Sequence, residues 1–312
     1  MRTTPLSALD IPLSKVAFGT APLGQLFGPV PRETGIAAVH AAREAGITLF
    51  DTSPYYGDAE ERLGIALAGH RDEVLVSTKA GRFPGEEFDF SPARIRRSLE
   101  NSLRLLRTDH VDLFFLHDID FVDVGPVIAE AVPTLQSLKE EGKTRAIGIS
   151  GYGLGAAARI INETCVDVVL TFAHGTLLDN TLHEVLGDQA RERGVGLINA
   201  AAVALGALTP AVMMRPDSSF MAPGPVLTAA RSMARECQIR SADLAFLANQ
   251  YAIQRSQTLA TVIGTTSIPH LLSAVAAATT PIDEDLLRAV LSHRPDPAAQ
   301  WKVGLPENRS HV

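Results

Sequence analysis

The amino-acid sequence predicts a (β/α)8 barrel, and three observations support this fold class. Eight short runs of apolar and β-branched residues alternate with longer amphipathic segments over the 312 residues. The runs are nearly continuous in apolar residues, as is typical of parallel strands that are covered on both faces. No linker interrupts the alternation, so we expect one domain over residues 1–312, with residues 282–312 as a tail packed on or near the barrel.

The eight predicted strands follow one another at regular intervals along the chain. In order they are KVAFGTA (15–21), ITLFDTS (47–53), EVLVSTKA (73–80), VDLFFLHD (111–118), RAIGISG (145–151), VDVVLTFAH (166–174), VGLINAAA (195–202) and ATVIGTT (260–266).

The segments between the strands carry helix signals. Ser91 can cap a helix that begins at Pro92, because proline at the first helical position loses no hydrogen bond. Glu100 and Arg104 are one helical turn apart and are predicted to pair on the surface of that helix. An earlier helical segment ends at Gly46, a residue type that commonly follows the last turn of a helix.

A doubly wound parallel sheet is the alternative architecture. It would need a phosphate-binding fingerprint after a strand, and the nearest stretch is GYGLG at 151–155. This stretch lacks the last glycine and the acidic residue about 20 positions further on. We therefore interpret it as a flexible loop of the barrel.

The composition indicates a folded protein and argues against several partners. Apolar residues make up 46% of the chain, which is enough to form a large core. The net charge is −7 and no basic run is present, so nucleic acid is not an expected partner. Cys165 and Cys237 show neither a metal-ligand nor a disulfide spacing, which is typical of the reducing cytoplasm.

Two segments bear on localisation. The first ten residues, MRTTPLSALD, contain no apolar run of the kind found in signal peptides. The long apolar stretch 197–214 is interrupted by Asn199, Gly206 and Pro210, so we predict a buried strand followed by a loop rather than a membrane span. We expect a cytoplasmic monomer or weak homodimer that binds a small molecule, with no metal, membrane or nucleic acid involved.

Polar residues gather at the predicted carboxyl ends of the strands, where barrel enzymes carry their active sites. A strand-end lysine is often only a solvated end, and a barrel histidine is often structural, but four titratable residue types from neighbouring strands indicate catalysis. The residues at these ends are Asp51, Tyr55, Tyr56, Lys79, His117, Asp118, Ser150, His174, Asn199, Thr265 and Thr266.

Asp51, Lys79, His117 and a tyrosine together have a specific chemical use. A phenol, with an ordinary pKa of about 10, is a useful general acid or base near neutral pH only beside a cation. Lys79 can supply that cation, Asp51 can hold its ammonium, and His117 can bond a substrate oxygen. Such a site polarises a carbonyl, or removes the proton of an alcohol while a hydride leaves the carbon.

The motifs around these residues resemble the aldo-keto reductase superfamily over nearly the whole chain. The resemblance rests on IPLSKVAFGTAPLG (11–24), FDTSPYYG with ERLG, STKAGRF, DLFFLHD, EEGKTRAIGIS and IGTTS. Within the superfamily, the chain is similar to the branch of L-galactose and L-fucose (D-threo-aldose) 1-dehydrogenases. The resemblance implies a (β/α)8 barrel of the aldo-keto reductase type.

The resemblance also implies roles for individual residues. The superfamily uses an Asp–Tyr–Lys–His tetrad whose tyrosine directly precedes the glycine of a YG pair, which implies Asp51, Tyr56, Lys79 and His117. Substrate contacts are implied for Tyr55, Phe83, His117 and His174. Cofactor contacts are implied for Thr20, Asp51, Ser150, Gly151, Ala201, Ala202, Gly206, Gly264, Thr265, Thr266 and His270.

The sequence departs from the superfamily at several cofactor positions. Gly151 stands where most members have asparagine, Ala201 and Ala202 replace Ser-Pro, and Phe172 replaces a glutamine. Where NADP-preferring members have lysine and arginine, this chain has Gly264 and His270. Because histidine is not a permanent cation and a 2′-phosphate calls for one, we expect NAD to be favoured over NADP.

The resemblance and the polar residues together favour oxidation of the C1 hydroxyl of an aldose to a lactone. With only 5% aromatic residues, the chain is not expected to form a strongly aromatic pocket. Three alternatives stay open: an NADPH-dependent carbonyl reductase, a Schiff-base lyase that uses Lys79 as nucleophile, and a non-enzymatic nucleotide-binding barrel. Asp51 argues against the lyase because a carboxylate keeps a neighbouring lysine protonated.

Overall fold

Eight parallel strands close into a barrel, as the sequence predicts. The structure is a computed structural model that describes residues 3–4, 12–24, 26–214, 223–299 and 303–309. In chain order the strands are β1 Val16–Gly19, β2 Leu49–Asp51, β3 Leu75–Ala80, β4 Val111–His117, β5 Thr144–Gly151, β6 Val168–Phe172, β7 Gly196–Ala200 and β8 Ala260–Gly264. Each strand pairs with its sequence neighbours, and β8 pairs with β1 in parallel to complete the closure.

Helices follow the strands and cover the outside of the barrel. The longer ones are Arg32–Glu44, Ala59–Ala66, Pro92–Leu106, Val132–Glu140, Leu154–Glu163, Thr181–Arg193, Gly224–Ile239, Leu244–Gln254, Ile268–Ala277 and Glu284–Leu291. Two short hairpin pairings lie outside the barrel, Thr3–Thr4 with Leu13–Ser14 and Arg82–Phe83 with Glu87–Phe88.

The side chains of each strand alternate between the barrel interior and the layer beneath the helices. In β4, Leu113 and Phe115 belong to the interior cluster, while Phe114 and Leu116 belong to the outer one. The same alternation in β3 places Leu75 inside, and Ser77 and Lys79 follow it at steps of two residues. A lysine therefore enters the barrel interior near the carboxyl end of β3.

Local helix signals were predicted well, and one surface pair was predicted wrongly. The helix Pro92–Leu106 begins at Pro92 after Ser91, although the Ser91 side chain makes no capping bond. Gly46 follows the first helix with φ 83°, as expected for its position. The Glu100 carboxylate lies 3.2 Å from Lys143 instead of pairing with Arg104, because the next βα unit brings that ammonium onto the helix surface.

The described part of the predicted tail lies against the barrel and its loops. The helix Glu284–Leu291 packs on the helix Gly224–Ile239. Further on, the backbone N–H of Leu305 donates to the carbonyl of Asp120 at 2.8 Å, and the Asn308 amide donates to the same carbonyl at 3.0 Å. Residues 303–309 are thereby fixed beside the carboxyl end of β4. The rest of the predicted tail, 300–302 and 310–312, lies outside the described residues.

Among the described residues, no helix is both long enough and apolar enough to cross a membrane. The stretch 197–214 forms strand β7 followed by two short 3-10 turns, Ala204–Gly206 and Pro210–Met214. This matches the prediction of a buried strand with a loop.

Candidate active site

A cavity of about 900 Å³ lies at the carboxyl ends of the strands. Most of the residues selected from the sequence line it. They are Asp51, Tyr55, Tyr56, Lys79, His117, Asp118, Ser150, Gly151, Ala201, Ala202, Gly264, Thr265 and His270.

The charged residues that are most buried in the cavity wall are Lys79 and Asp51, which form an ion pair. The Lys79 ammonium lies 2.7 Å from each Asp51 carboxylate oxygen and 2.8 Å from the Thr52 carbonyl. The Ser77 hydroxyl also donates to Asp51 at 2.7 Å. Both charged residues are buried, so the pair is stable only because its hydrogen bonds replace the lost water.

Tyr56 is placed by a single 3-10 turn, Pro54–Tyr56, directly after β2. The Ser53 hydroxyl accepts from the Tyr55 N–H at 3.1 Å, and Gly57 leaves the turn with φ 60°. A Cβ at Gly57 would lie 2.4 Å from the Gly24 carbonyl oxygen, so the glycine of the YG pair allows this close approach. The turn brings the Tyr56 ring to 5.0 Å from the Lys79 ammonium.

The electrostatic environment keeps the Tyr56 phenol protonated. Burial raises its pKa well above the ordinary value, and the nearby Asp51 and Asp118 carboxylates raise it further. The Lys79 ammonium is the cation that would favour the phenolate, and in the free site it is bonded to both Asp51 oxygens. As it stands, the site is set up for a tyrosine that gives a proton away.

His117 faces Tyr56 at the end of β4. Its Nδ1 lies 3.0 Å from the Ser53 hydroxyl, and its ring is nearly perpendicular to that of Tyr56 with centroids 5.7 Å apart. Burial, followed by the charges of Lys79 and Arg82, lowers the pKa of His117 well below its ordinary value. The imidazole is therefore neutral, and with Nδ1 bonded to Ser53 its Nε2 is the nitrogen directed toward a substrate oxygen.

The two adjacent tyrosines separate into different environments. The Tyr55 hydroxyl donates to the Glu86 carboxylate at 2.7 Å and accepts from the Arg82 guanidinium at 3.0 Å. Tyr56 instead faces Lys79 and His117. The geometry thus assigns Tyr55 to the cavity wall, while Tyr56 lies beside the other members of the tetrad.

Several residues predicted from the sequence do not line the cavity. The His174 Nε2–H donates to the Tyr152 carbonyl at 2.6 Å, and its Nδ1 lies 2.9 Å from the Asp179 carboxylate, so both nitrogens are bonded away from the cavity. Asn199 is fully buried on the outer side of β7, where its amide donates to the Gly175 carbonyl at 2.8 Å. Phe83 packs beneath the Arg94 guanidinium, 4.0 Å from its ring centroid.

Three predicted cofactor residues also lie off the cavity wall. Thr20 is fully buried, and its hydroxyl donates to the Asp51 carbonyl at 3.0 Å. Gly206 and Thr266 are not among the lining residues, although their neighbours Leu205 and Thr265 are. In each of these loops a residue one position away lines the cavity, because loop backbone direction does not follow strand alternation.

Sequence reasoning missed a polar and aromatic wall. Arg82 pairs with Asp118 and Glu86, and its guanidinium carbon lies 4.0 Å from the Tyr55 ring centroid. Although the aromatic content is low, six aromatic side chains among the described residues line the cavity: Phe27, Tyr55, Tyr56, Phe121, Tyr152 and Phe172. The signal for Arg82 was present in STKAGRF, three residues after Lys79.

Gly151, where the superfamily usually has asparagine, has a clear steric basis. A Cβ at this position would lie 2.2 Å from a carboxylate oxygen of Asp120. That oxygen accepts from the Tyr152 N–H at 3.1 Å, and Asp120 is fully buried. The Asp120 carboxylate therefore occupies the space that a larger residue at 151 would need.

The remaining part of the cavity fits a nicotinamide dinucleotide. Small residues form this wall, including Gly19, Ala201 and Gly264, and the helix Ile268–Ala277 begins beside it at Ser267. The Asn249 side chain also lines the cavity, and its buried oxygen has no hydrogen-bond partner in the described part of the chain. Ser150, Gly264, Thr265 and His270 would hold such a cofactor. No cluster of His, Cys, Asp or Glu within the described ranges could hold a metal ion.

Residues 15–294 match the sequence pattern of the aldo/keto reductase family. The fold and the match define a barrel oxidoreductase, a class in which nicotinamide cofactors and no metal are used. The chain belongs to the aldo/keto reductase family.

Relatives with named activities are similar over most of the chain. L-Galactose dehydrogenase of Arabidopsis thaliana is 36% identical over 282 residues, which cover 88% of this chain and 87% of that one. D-Arabinose 1-dehydrogenase of Saccharomyces cerevisiae is 31% identical over 258 residues, 77% of this chain and 75% of that one.

The structure is also similar to solved ones. An aldo-keto reductase of Bacillus halodurans in its holo form superposes with a TM-score of 0.78 at 25% identity, covering 99% of this chain and 100% of that one. A glycerol dehydrogenase of Gluconobacter oxydans gives a TM-score of 0.76 at 25% identity, covering 95% of this chain and 97% of that one.

Proposed function

We propose that this chain oxidises the C1 hydroxyl of an aldose such as L-galactose, L-fucose or D-arabinose to the aldonolactone. The observation that carries the proposal is the convergence of Asp51, Tyr56, Lys79 and His117 in one cavity whose wall also holds Arg82 and other polar groups. The names of the similar aldose dehydrogenases support the choice of substrate class.

The proposed chemistry divides between the tetrad and the cofactor. When bound, the nicotinamide supplies the acceptor for the hydride that leaves C1. His117 Nε2 donates a hydrogen bond to the C1 oxygen and orients it, while Tyr56, in its phenolate form, takes the hydroxyl proton as the C1–O double bond forms. Asp51 fixes the Lys79 ammonium beneath the tyrosine.

Three hydrogen bonds of Lys79 argue against the lyase alternative. Its ammonium donates to both Asp51 oxygens and to the Thr52 carbonyl, which uses the three protons of an ammonium group. A nucleophilic lysine would instead need a free lone pair. Failure of borohydride to trap a substrate aldehyde on Lys79 would agree with a charge role.

NAD is the proposed preferred cofactor. Among the described residues that line the cavity, the permanent cations are Lys79 and Arg82, and both pair with carboxylates near the tetrad. The wall at Gly264 and His270 therefore offers no permanent cation for a 2′-phosphate.

Carbonyl reduction is the second candidate, and one observation favours it. The raised pKa of Tyr56 keeps the phenol protonated in the free site, which suits proton donation to a carbonyl oxygen. Reduction would use the same residues in reverse, with His117 and Tyr56 both bonded to the carbonyl oxygen.

The absorbance of reduced cofactor distinguishes the two candidates. NAD and NADP are tested with L-galactose, L-fucose and D-arabinose, and NADH and NADPH with simple aldehydes. Faster turnover of a sugar with NAD supports the proposal. Turnover confined to aldehydes with NADPH contradicts it and supports the second candidate. Size-exclusion chromatography tests the proposed monomer or weak homodimer.

A further inference from the structure

A carboxylate outside the tetrad points into the cavity beside the reacting position. Asp118 follows β4 directly, and its Oδ2 lies 3.7 Å from His117 Nε2. The residue is 5% exposed, and it lines the same cavity as the tetrad. Since His117 Nε2 is the donor to the reacting oxygen, this carboxylate lies within reach of a substituent on the adjacent carbon.

The backbone directs Asp118 away from its usual structural role. Its φ is 55°, in the left-handed region, and its N–H donates to the Ser150 carbonyl at 2.8 Å. It stands at the N-cap of the turn Ile119–Phe121, yet its side chain makes no capping bond. An aspartate at that position normally caps the turn, so the carboxylate is held in the cavity by other contacts.

Arg82 supplies the main contact. Its guanidinium bonds Oδ2 of Asp118 and also Glu86 and the Tyr55 hydroxyl. Burial raises the pKa of Asp118 to about 6, and the Arg82 guanidinium partly offsets this rise. A buried carboxylate gains from each further hydrogen-bond donor that a ligand offers it.

A hydroxyl-bearing ligand matches this pair of groups. The hydroxyl on the carbon next to the reacting one can donate to the carboxylate, and a further oxygen can accept from the guanidinium. A simple aldehyde provides neither, so Asp118 and Arg82 keep only the bonds they already make and gain nothing from the ligand.

We propose that Asp118 is a specificity-determining residue that accepts a hydrogen bond from the hydroxyl adjacent to the reacting carbon. Arg82 is a positioning residue that holds the carboxylate toward the substrate. The proposal deepens the function proposed above and rests on it, since the reacting oxygen is placed at His117 and Tyr56.

The test compares a sugar with its 2-deoxy counterpart in two proteins. For the wild type and Asp118→Asn, kcat/KM is measured with L-galactose and 2-deoxy-L-galactose, or with whichever of the three sugars reacts best and its 2-deoxy form. The wild type should favour the parent sugar by about 10- to 100-fold, the size of a hydrogen bond to a charged group. Asp118→Asn should remove most of this preference. The wild-type preference divided by the preference of Asp118→Asn does not depend on the intrinsic reactivity of the two sugars.

Matched variants separate recognition from folding. Asp109→Asn makes the same substitution before the opposite end of β4, where the side chain is 95% exposed, and should leave the preference unchanged. Arg82→Gln should lower the same preference through KM rather than kcat. Thermal unfolding and cofactor affinity, measured by fluorescence quenching, show whether Asp118→Asn is folded and cofactor-competent.

Two outcomes would overturn the proposal. One is an equal loss of kcat/KM with both sugars in Asp118→Asn, and the other is a wild type that does not prefer the parent sugar over its 2-deoxy form. If the wild type oxidises no sugar, the proposed function has failed. The role of Asp118 is then tested by reduction of glyceraldehyde against propanal, which differ in the adjacent hydroxyl. A wild-type preference for glyceraldehyde that Asp118→Asn removes would support the recognition role on its own, and its absence would reject it.

Discussion

The Lys79 ammonium and the Asp51 carboxylate face each other inside the barrel at 2.7 Å through both carboxylate oxygens. The pair joins the carboxyl ends of two neighbouring strands and places a positive charge under the Tyr56 ring. Because each charge is buried, loss of either one leaves the other without compensation.

Replacing Lys79 by methionine tests this pair. Lys79→Met should lower turnover by at least about 100-fold and raise the pH at which the remaining oxidation proceeds, because the phenolate loses its cation. It should also lower the free energy of unfolding by about 3–5 kcal/mol, since Asp51 is left as an unpaired buried charge. Chemical denaturation and initial rates measure the two effects.

A double variant separates stability from catalysis. Lys79→Met with Asp51→Asn removes both charges and should recover much of the lost unfolding free energy without recovering turnover. Near-normal turnover of Lys79→Met would show that the lysine is only a buried structural group.

The two adjacent tyrosines should respond differently to loss of the hydroxyl. Tyr56→Phe should reduce kcat by about 100-fold or more with cofactor affinity unchanged, the usual size of general acid–base catalysis. Tyr55→Phe should change mainly KM, because its hydroxyl bonds Glu86 and Arg82 in the cavity wall. Steady-state kinetics and cofactor titration check both, and the reverse pattern would contradict the assignment of Tyr56.

The pH dependence should differ between the two directions of reaction. Because the pKa of Tyr56 is raised well above its ordinary value, the phenol carries its proton throughout the neutral range. Reduction uses that proton and should vary little between about pH 6 and 9, whereas oxidation needs the phenolate and should rise about tenfold per pH unit. Initial rates measured against pH in both directions test this difference. An oxidation rate that does not change with pH across this range would mean that Tyr56 is not the base.

Cofactor preference should follow the charge at position 270. Wild-type kcat/KM should be higher with NAD than with NADP, and His270→Arg should raise the value for NADP by supplying a bidentate phosphate donor. His70→Arg, at a surface histidine bonded to Glu73, is the matched control and should change neither value. A wild type that prefers NADP would show that another arginine reaches the 2′-phosphate.

Gly151 should tolerate no side chain. Gly151→Ala places a methyl group 2.2 Å from the Asp120 oxygen, so Asp120 must move from its bond to the Tyr152 N–H. We expect a loss of about 1–3 kcal/mol in unfolding free energy. Gly224→Ala, where no atom lies within 4 Å of the new Cβ, is the control and should be neutral or slightly stabilising. Equal changes in unfolding free energy for the two variants would show that Asp120 can move without destabilising the protein.

The strands and the inward direction of Asp51, Lys79 and His117 could be predicted because they follow regular alternation, whereas Tyr56 was predicted from the YG pair of the family resemblance. Ser77 and Lys79 continue the inward series of β3, and His117 continues that of β4. The same rule, applied to β7, would have turned Asn199 outward, since Ile198 and Ala200 belong to the interior cluster. That error was avoidable from the sequence.

The errors in the loops were not avoidable in the same way. His174 would point inward if the alternation of β6 continued, but Ala173 has φ 68° and turns the chain aside. Asp118 likewise enters the cavity through a left-handed backbone, and nothing in the residue types of VDLFFLHD indicates this. Arg82 and Phe83 are neighbours on a short hairpin, and which of them faces the cavity depends on the hairpin twist.

The bonds from Leu305 and Asn308 to the Asp120 carbonyl have a consequence for the timing of synthesis. Val303, which this attachment holds in the cavity wall, leaves the ribosome long after β4, and after β8 has made barrel closure possible. A nascent chain can therefore have a closed barrel and an assembled tetrad while its cavity still lacks the wall residue Val303. Ligand binding in this cavity should mature later than the fold that supports it.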